Sequence, residues 1–233
     1  MIKEELVRRS PLRGLEKSIH GGLGPGHIGV LASRKGVGKT ACLVHIAADR
    51  LIQGRPVIHV SYAARVDHII NWYEDIFKEM LGRWSREEAS DFLEDVIRHR
   101  VIMNFKQAGA PTEQILKSIE ALIVHGRFDA RTLIVDGYDF GLAEPNDLRK
   151  FREFAARLEI ELWFSASLRG EDPLFDASGV PRLLAPFLED IGVLITLVDE
   201  GEYVRLELVK DRSFPVGELN LRLNPRTLLL AEA

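Results

Sequence analysis

The chain has 233 residues, enough for one α/β domain with a full core and slightly short for two. Its 46% hydrophobic and 28% charged residues are ordinary for a globular protein, and a net charge of −4 with pI near 6.0 excludes a global basic field that would draw it to nucleic acid or an anionic membrane. The single cysteine, Cys42, excludes an intramolecular disulfide and reads as a small packing residue; with no apolar leader and no run of membrane-spanning length, the expected compartment is the cytoplasm and no membrane partner is expected.

Residues 2–9 predict a short helix that breaks at Ser10 and Pro11. Residues 11–26 are punctuated by Gly14, Gly21, Gly22, Gly24, Pro25 and Gly26, which mark turns with aliphatic residues packed beneath the first strand. Residues 27–32 read as a buried strand and 41–53 as a helix. Between them runs Ser33-Arg34-Lys35-Gly36-Val37-Gly38-Lys39-Thr40. A strand, a glycine-rich turn and a helix opened by Gly-Lys-Thr form a phosphate-binding loop. Backbone N–H groups of Gly36, Val37 and Gly38 are expected to form a concave nest, with about half a positive charge from the helix dipole beside it. Lys39 then reaches the β- and γ-phosphates and Thr40 ligates Mg²⁺. Ser33, Arg34, Lys35, Gly36, Val37, Gly38, Lys39, Thr40 and Ala41 are thus the candidate nucleotide-binding residues. The competing reading is a tight strand–helix turn that binds nothing. Ser33 stands where the usual loop has glycine, and is expected to cost backbone freedom there.

Residues 56–61 read as a fully buried, parallel strand in which His59 is a strand residue rather than a ligand. Residues 67–81 carry apolar side chains at helical spacing, so Trp72 and Tyr73 read as core, not as base-stacking groups. Ser85 and Glu88 form a capping box that opens a helix over 86–97. A strand follows at 101–104, a helix at 112–124, and an apolar strand at 132–136 that ends in Asp136. A helix over 148–158 and a buried strand over 161–165 come next, then a long surface loop over 168–190 with a short helical piece. From residue 193 the apolar period becomes two, giving antiparallel strands at 193–198, 203–209 and 218–223. The fold class is therefore α/β: a central, mainly parallel sheet flanked by helices, with antiparallel C-terminal strands.

Gly14-Leu15-Glu16 followed by Gly21-Gly22-Leu23-Gly24-Pro25-Gly26, just ahead of the loop, resembles the lead-in of the RecA-like ATPases. The branch it looks like contains replicative helicases, RadA-type proteins and KaiC-type ATPases, with Glu16 in place of their usual Asp. The resemblance spans about residues 10–230 and implies a single RecA-like ATP-binding domain over 1–233, with a lead-in at 1–24 and an antiparallel extension at 191–230. It implies ATP and Mg²⁺ as cofactors, and no Asn-Lys-x-Asp guanine-reading motif argues otherwise. It places the strand of Asp136 beside the loop strand, with Thr40 and Asp136 as the metal residues, the carboxylate holding a Mg²⁺-bound water. It puts the catalytic glutamate just past the second strand, where this chain has Ala63; losing a general base costs roughly 10²- to 10⁴-fold in rate. No catalytic residue is thereby assigned. Ser167, with Ser165 beside it, matches the γ-phosphate sensor position, and Lys210 and Arg212 match a Lys-x-Arg segment that such ATPases insert into a neighbour's site. A solvated charged turn is the competing reading of that segment. The ParA/MinD-type loop, whose signature lysine falls at Arg34, fits the lead-in glycines and terminal strands less well.

The expected function is ATP binding with weak or absent hydrolysis, as a nucleotide-dependent switch or assembly subunit with a homo-oligomeric or protein partner. A DNA-associated motor of the same fold is disfavoured: residues 137–147 carry Asp139, Glu144 and Asp147 and no basic residue, and acidic side chains outnumber Arg169 and Arg182 in 168–190. A non-catalytic structural module is the third reading.

Overall fold

The computed structural model describes residues 2–62, 67–106 and 111–233. Helices α1 (Ile2–Arg9) and α2 (Leu12–Ser18) lead into β1 (Ile28–Arg34), α3 (Lys39–Ile52), β2 (Val57–Ser61), α4 (Asp67–Leu81), α5 (Arg86–Ile97) and β3 (Arg100–Asn104). Helix α6 (Thr112–Glu120) ends in a single wider π turn at Ala121–His125; β4 (Thr132–Asp136), α7 (Pro145–Leu158) and β5 (Glu161–Leu168) follow. A 3₁₀ turn at Arg182–Phe187 precedes β6 (Val193–Asp199), β7 (Val204–Asp211), β8 (Leu221–Leu223) and β9 (Leu230–Glu232).

The strands form one sheet in the order β3-β2-β4-β5-β1-β6-β7-β8-β9. Pairings from β3 to β6 are parallel and those from β6 onward antiparallel. Parallel strands are covered on both faces, which is why β1, β2, β4 and β5 read as unbroken apolar runs. Successive side chains alternate between two cores. Leu31, Ile134 and Trp163 face the layer of α3 and α4, while Val30, Val135 and Phe164 face that of α6 and α7. On the latter face Tyr138, Phe140, Phe151 and Phe164 meet edge to face at 5.1–6.0 Å, contacts that contribute roughly 0.5–1.5 kcal/mol each beyond burial. On the other face Trp163 lies flat against Gly29, where an added Cβ would run into the indole ring. Tyr73 is fully buried and half-buried Trp72 packs on the same core, so both serve packing.

The structure corrects one expectation that bears on the site. The strand of Asp136 does not adjoin the loop strand: β5 lies between them, paired to β1 on one side and to β4 on the other. Smaller differences have local causes. Residues 12–18 form a helix rather than turns, because Gly14 sits between Leu12 and Leu15, both buried. Helix α7 starts three residues early, with Pro145 in its first turn and Glu144 and Asp147 as a reciprocal cap. Strand β5 continues to Leu168 because it pairs with β1 along its whole length.

Candidate functional site

Strand β1 delivers the chain to the C-terminal edge of the parallel sheet, and α3 starts there after the turn at 35–38. Ser33 needs no left-handed backbone: it belongs to β1 and pairs in register with Ser167, so the expected conformational cost at that position does not arise. The left-handed positions are Gly36 (φ 88°) and Gly38 (φ 119°). Gly38 is the N-cap of α3 and supplies no side chain to the helix's first N–H groups, which leaves these donors to a ligand or water. An added Cβ at Gly36 meets open space, whereas at Gly38 it would collide with Leu223 Cδ2 of β8. The C-terminal strands therefore lean directly on the loop, a contact that no local signal in the sequence announces.

Lys39 is only 6% exposed, and its ammonium donates to Ser33 O (3.1 Å), Ser33 Oγ (3.2 Å) and Arg34 O (2.9 Å). Burial pushes its pKa down to about 8, against the opposing pull of the Asp136 charge. Arg34 and Lys35 are exposed, and Arg34 pairs with Asp172 at 3.2 Å. Val37 packs partly on the core and Ala41 is fully buried, so each can offer a ligand only its backbone or a small apolar surface. Cys42 is buried, and burial raises its thiol to about 12, so it stays protonated and unreactive.

Asp136 reaches the loop across β5. Thr40 Oγ1 donates to its Oδ2 at 3.0 Å, while Ser165 Oγ donates to its Oδ1 at 2.7 Å and accepts the Gly137 N–H at 2.8 Å. Thr40 and Asp136 are thus brought together at the start of α3. Ser165 is held by Asp136, and Ser167, two residues on, lies half-buried beside Ser33. His59 is fully buried in β2, where its Nδ1 meets the Tyr73 hydroxyl at 3.1 Å, and burial lowers its pKa to about 4. Ala63, at the position expected of the catalytic glutamate, lies outside the described residues.

Lys210 and Arg212 are elsewhere. Strand β7 runs antiparallel to β6, so its end lies at the N-terminal edge of the parallel strands, opposite the loop. Lys210 donates to Leu188 O and to Ile191 O (2.6 Å). Arg212 donates to Gly22 O (2.8 Å), Leu23 O (3.1 Å), Ile19 O and Asp211 Oδ1 (3.0 Å). Both cations are tied into their own chain, which is neither a solvated turn nor an extended finger.

Thr40 and Asp136 are hard oxygen donors at one point, the set that Mg²⁺ prefers. Among the described residues no group of three or more His, Cys, Asp or Glu side chains is placed to hold a metal ion, so this pair would share its metal with a ligand. Among the described residues, too, no helix is long and apolar enough to cross a membrane. No family model matches the chain, and no curated protein does. Among solved structures it is similar to the ATPase domain of a RecA-like replicative helicase, with a TM-score of 0.73 at 16% identity over 95% of this chain and 89% of that one. That likeness establishes the fold, which is that of a RecA-like ATPase domain.

Proposed function

We propose that this chain is a RecA-like ATP-binding protein in which residues 33–41 cradle the triphosphate and Thr40 and Asp136 hold its Mg²⁺. The observation that carries this reading is the 3.0 Å contact between Thr40 and Asp136 across an intervening strand. A strand-end aspartate that merely capped its own turn would have no reason to meet the first turn of α3. Bound Mg²⁺ would neutralise charge on the β- and γ-phosphate oxygens. The chain itself would bind and orient them through the α3 N–H groups and Lys39. With alanine at position 63, turnover is slow or absent, and the protein acts as a nucleotide-dependent switch or assembly subunit with a copy of itself or another protein. Nucleic acid is a poor partner: Arg169, at the end of β5, is paired with Asp139 at 3.1 Å, which leaves that loop without a net cationic surface.

Thermal unfolding with Mg·ATP tests the reading. At a hundredfold excess over Kd, binding stabilises by about 2.7 kcal/mol, which for a domain of this size raises Tm by about 5–10 °C. Lys39→Ala is expected to abolish most of the shift, and Ala63→Glu to raise turnover. Absence of any shift in the native protein would leave the structural-module reading in its place.

A further inference from the structure

We infer that Ser165 is a positioning residue for the Asp136 carboxylate and not a reporter of the terminal phosphate. The inference rests on the nucleotide reading above and concerns how its metal half is held. A serine hydroxyl has one proton to donate and two lone pairs to accept with. At Ser165 the proton goes to Asp136 Oδ1 at 2.7 Å, and one lone pair takes the Gly137 N–H at 2.8 Å. With its only proton committed to a carboxylate, the hydroxyl has none for a phosphate oxygen. The side chain is also short and 2% exposed, so it lies within the sheet rather than at its rim.

What the arrangement does is fix a torsion. The terminal torsion of an aspartate is broad and roughly two-fold, so a carboxylate held at one oxygen can turn. Here Oδ1 is held by Ser165 and Oδ2 by Thr40, and the Gly137 N–H holds the serine in turn. The plane is pinned at both ends, with Oδ2 presented to the first turn of α3. Hydrogen bonds to an ionised acceptor are about twice as strong as neutral ones, and burial keeps bulk water from substituting as the donor. Ser165 can do this because β5 is the one strand paired to both β1 and β4.

Outer partners of metal-holding carboxylates typically affect metal affinity by about 10- to 100-fold. The test compares the native protein with Ser165→Ala and Ser165→Thr by calorimetry, using ATP with Mg²⁺ and ATP in EDTA. Mn²⁺ uptake by the ATP-loaded protein, read by electron paramagnetic resonance, reports the metal alone. Ser165→Ala is expected to weaken Mn²⁺ uptake and Mg²⁺-dependent ATP binding by about 10- to 100-fold. Its metal-free ATP affinity should stay within about twofold of native, and Ser165→Thr, which keeps the hydroxyl, should recover most of the metal affinity. Equal loss with and without metal would mark Ser165 as a general structural residue and overturn the inference, as would an Ala variant with native metal affinity. If the Ala variant does not fold, Ser165→Cys, a weaker donor of similar size, carries the same expectation and the same refutation. Failure of the native protein to bind ATP at all would remove the nucleotide reading itself, an outcome distinct from native ATP binding with an unaffected variant.

Discussion

Lys39 shows how burial changes what a recognised residue can do. Its place after Gly38 is legible in the sequence, as are Thr40 and Asp136, because motif spacing carries them. Its acidity is not legible, since the lowering to about 8 comes from desolvation under the loop, a property of the folded neighbourhood. Nothing in the sequence pairs Ser165 with Asp136 for a similar reason: the two are 29 positions apart and meet only because β4 and β5 pair. A consequence for binding follows from the sign of the Lys39 shift. The cationic form attracts phosphate, and the ligand-free protein loses that charge above pH 8. ATP affinity is therefore expected to fall as pH rises, with Kd increasing about eightfold between pH 7.5 and 9 for a single group of this pKa. Calorimetry across that range checks it, and Lys39→Met should bind weakly with no such pH dependence. A native protein with constant Kd over the same range would show that the ammonium does not gate binding.

At the scale of elements, the end of β7 is the place where resemblance and structure part. The Lys-x-Arg spacing suggests a reach to a neighbour, yet Arg212 closes the lead-in turn after α2 by donating to Ile19, Gly22 and Leu23 carbonyls. Asp211, fully buried, holds Arg212 on one oxygen and His20 on the other, and Phe214 stacks on His20 at 4.3 Å. Removing one partner from such a group leaves a buried charge short of compensation. Arg212→Ala is expected to lower stability by about 2–4 kcal/mol in urea unfolding and to leave ATP affinity unchanged, since the loop lies at the other edge of the sheet. The reverse pattern, native stability with lost turnover, would restore the trans-finger role. Element type is readable for the long periodic segments, such as α4 and α7, and for the apolar strands. What escapes is set by pairing: β9 has three residues and exists as a strand only because β8 offers it an edge, and the neighbours of β4 depend on crossover order, which no stretch of sequence encodes locally.

For the molecule as a whole, two histidines set its behaviour in acid. His45 on α3 and His59 on β2 are each buried, and burial lowers both to about 4 from the ordinary 6.5. Between pH 6.5 and 4 the unfolded chain binds protons that the native one refuses, so stability falls as pH falls through that window and is unaffected above it. The slope is roughly 1 kcal/mol per pH unit for each histidine near pH 5, where ordinary carboxylates still contribute little. Urea midpoints measured from pH 7 to pH 5 should decline accordingly; a level profile would mean that both rings accept protons in the native state. A last consequence comes from β5 standing between β1 and β4. Strands lie about 4.8 Å apart, so the cradle and its acid are separated by two lattice spacings of a hydrogen-bonded sheet. That span behaves like a machinist's gauge block: thermal motion of the rim can cover or uncover the opening, but its width is cut into the floor of the protein.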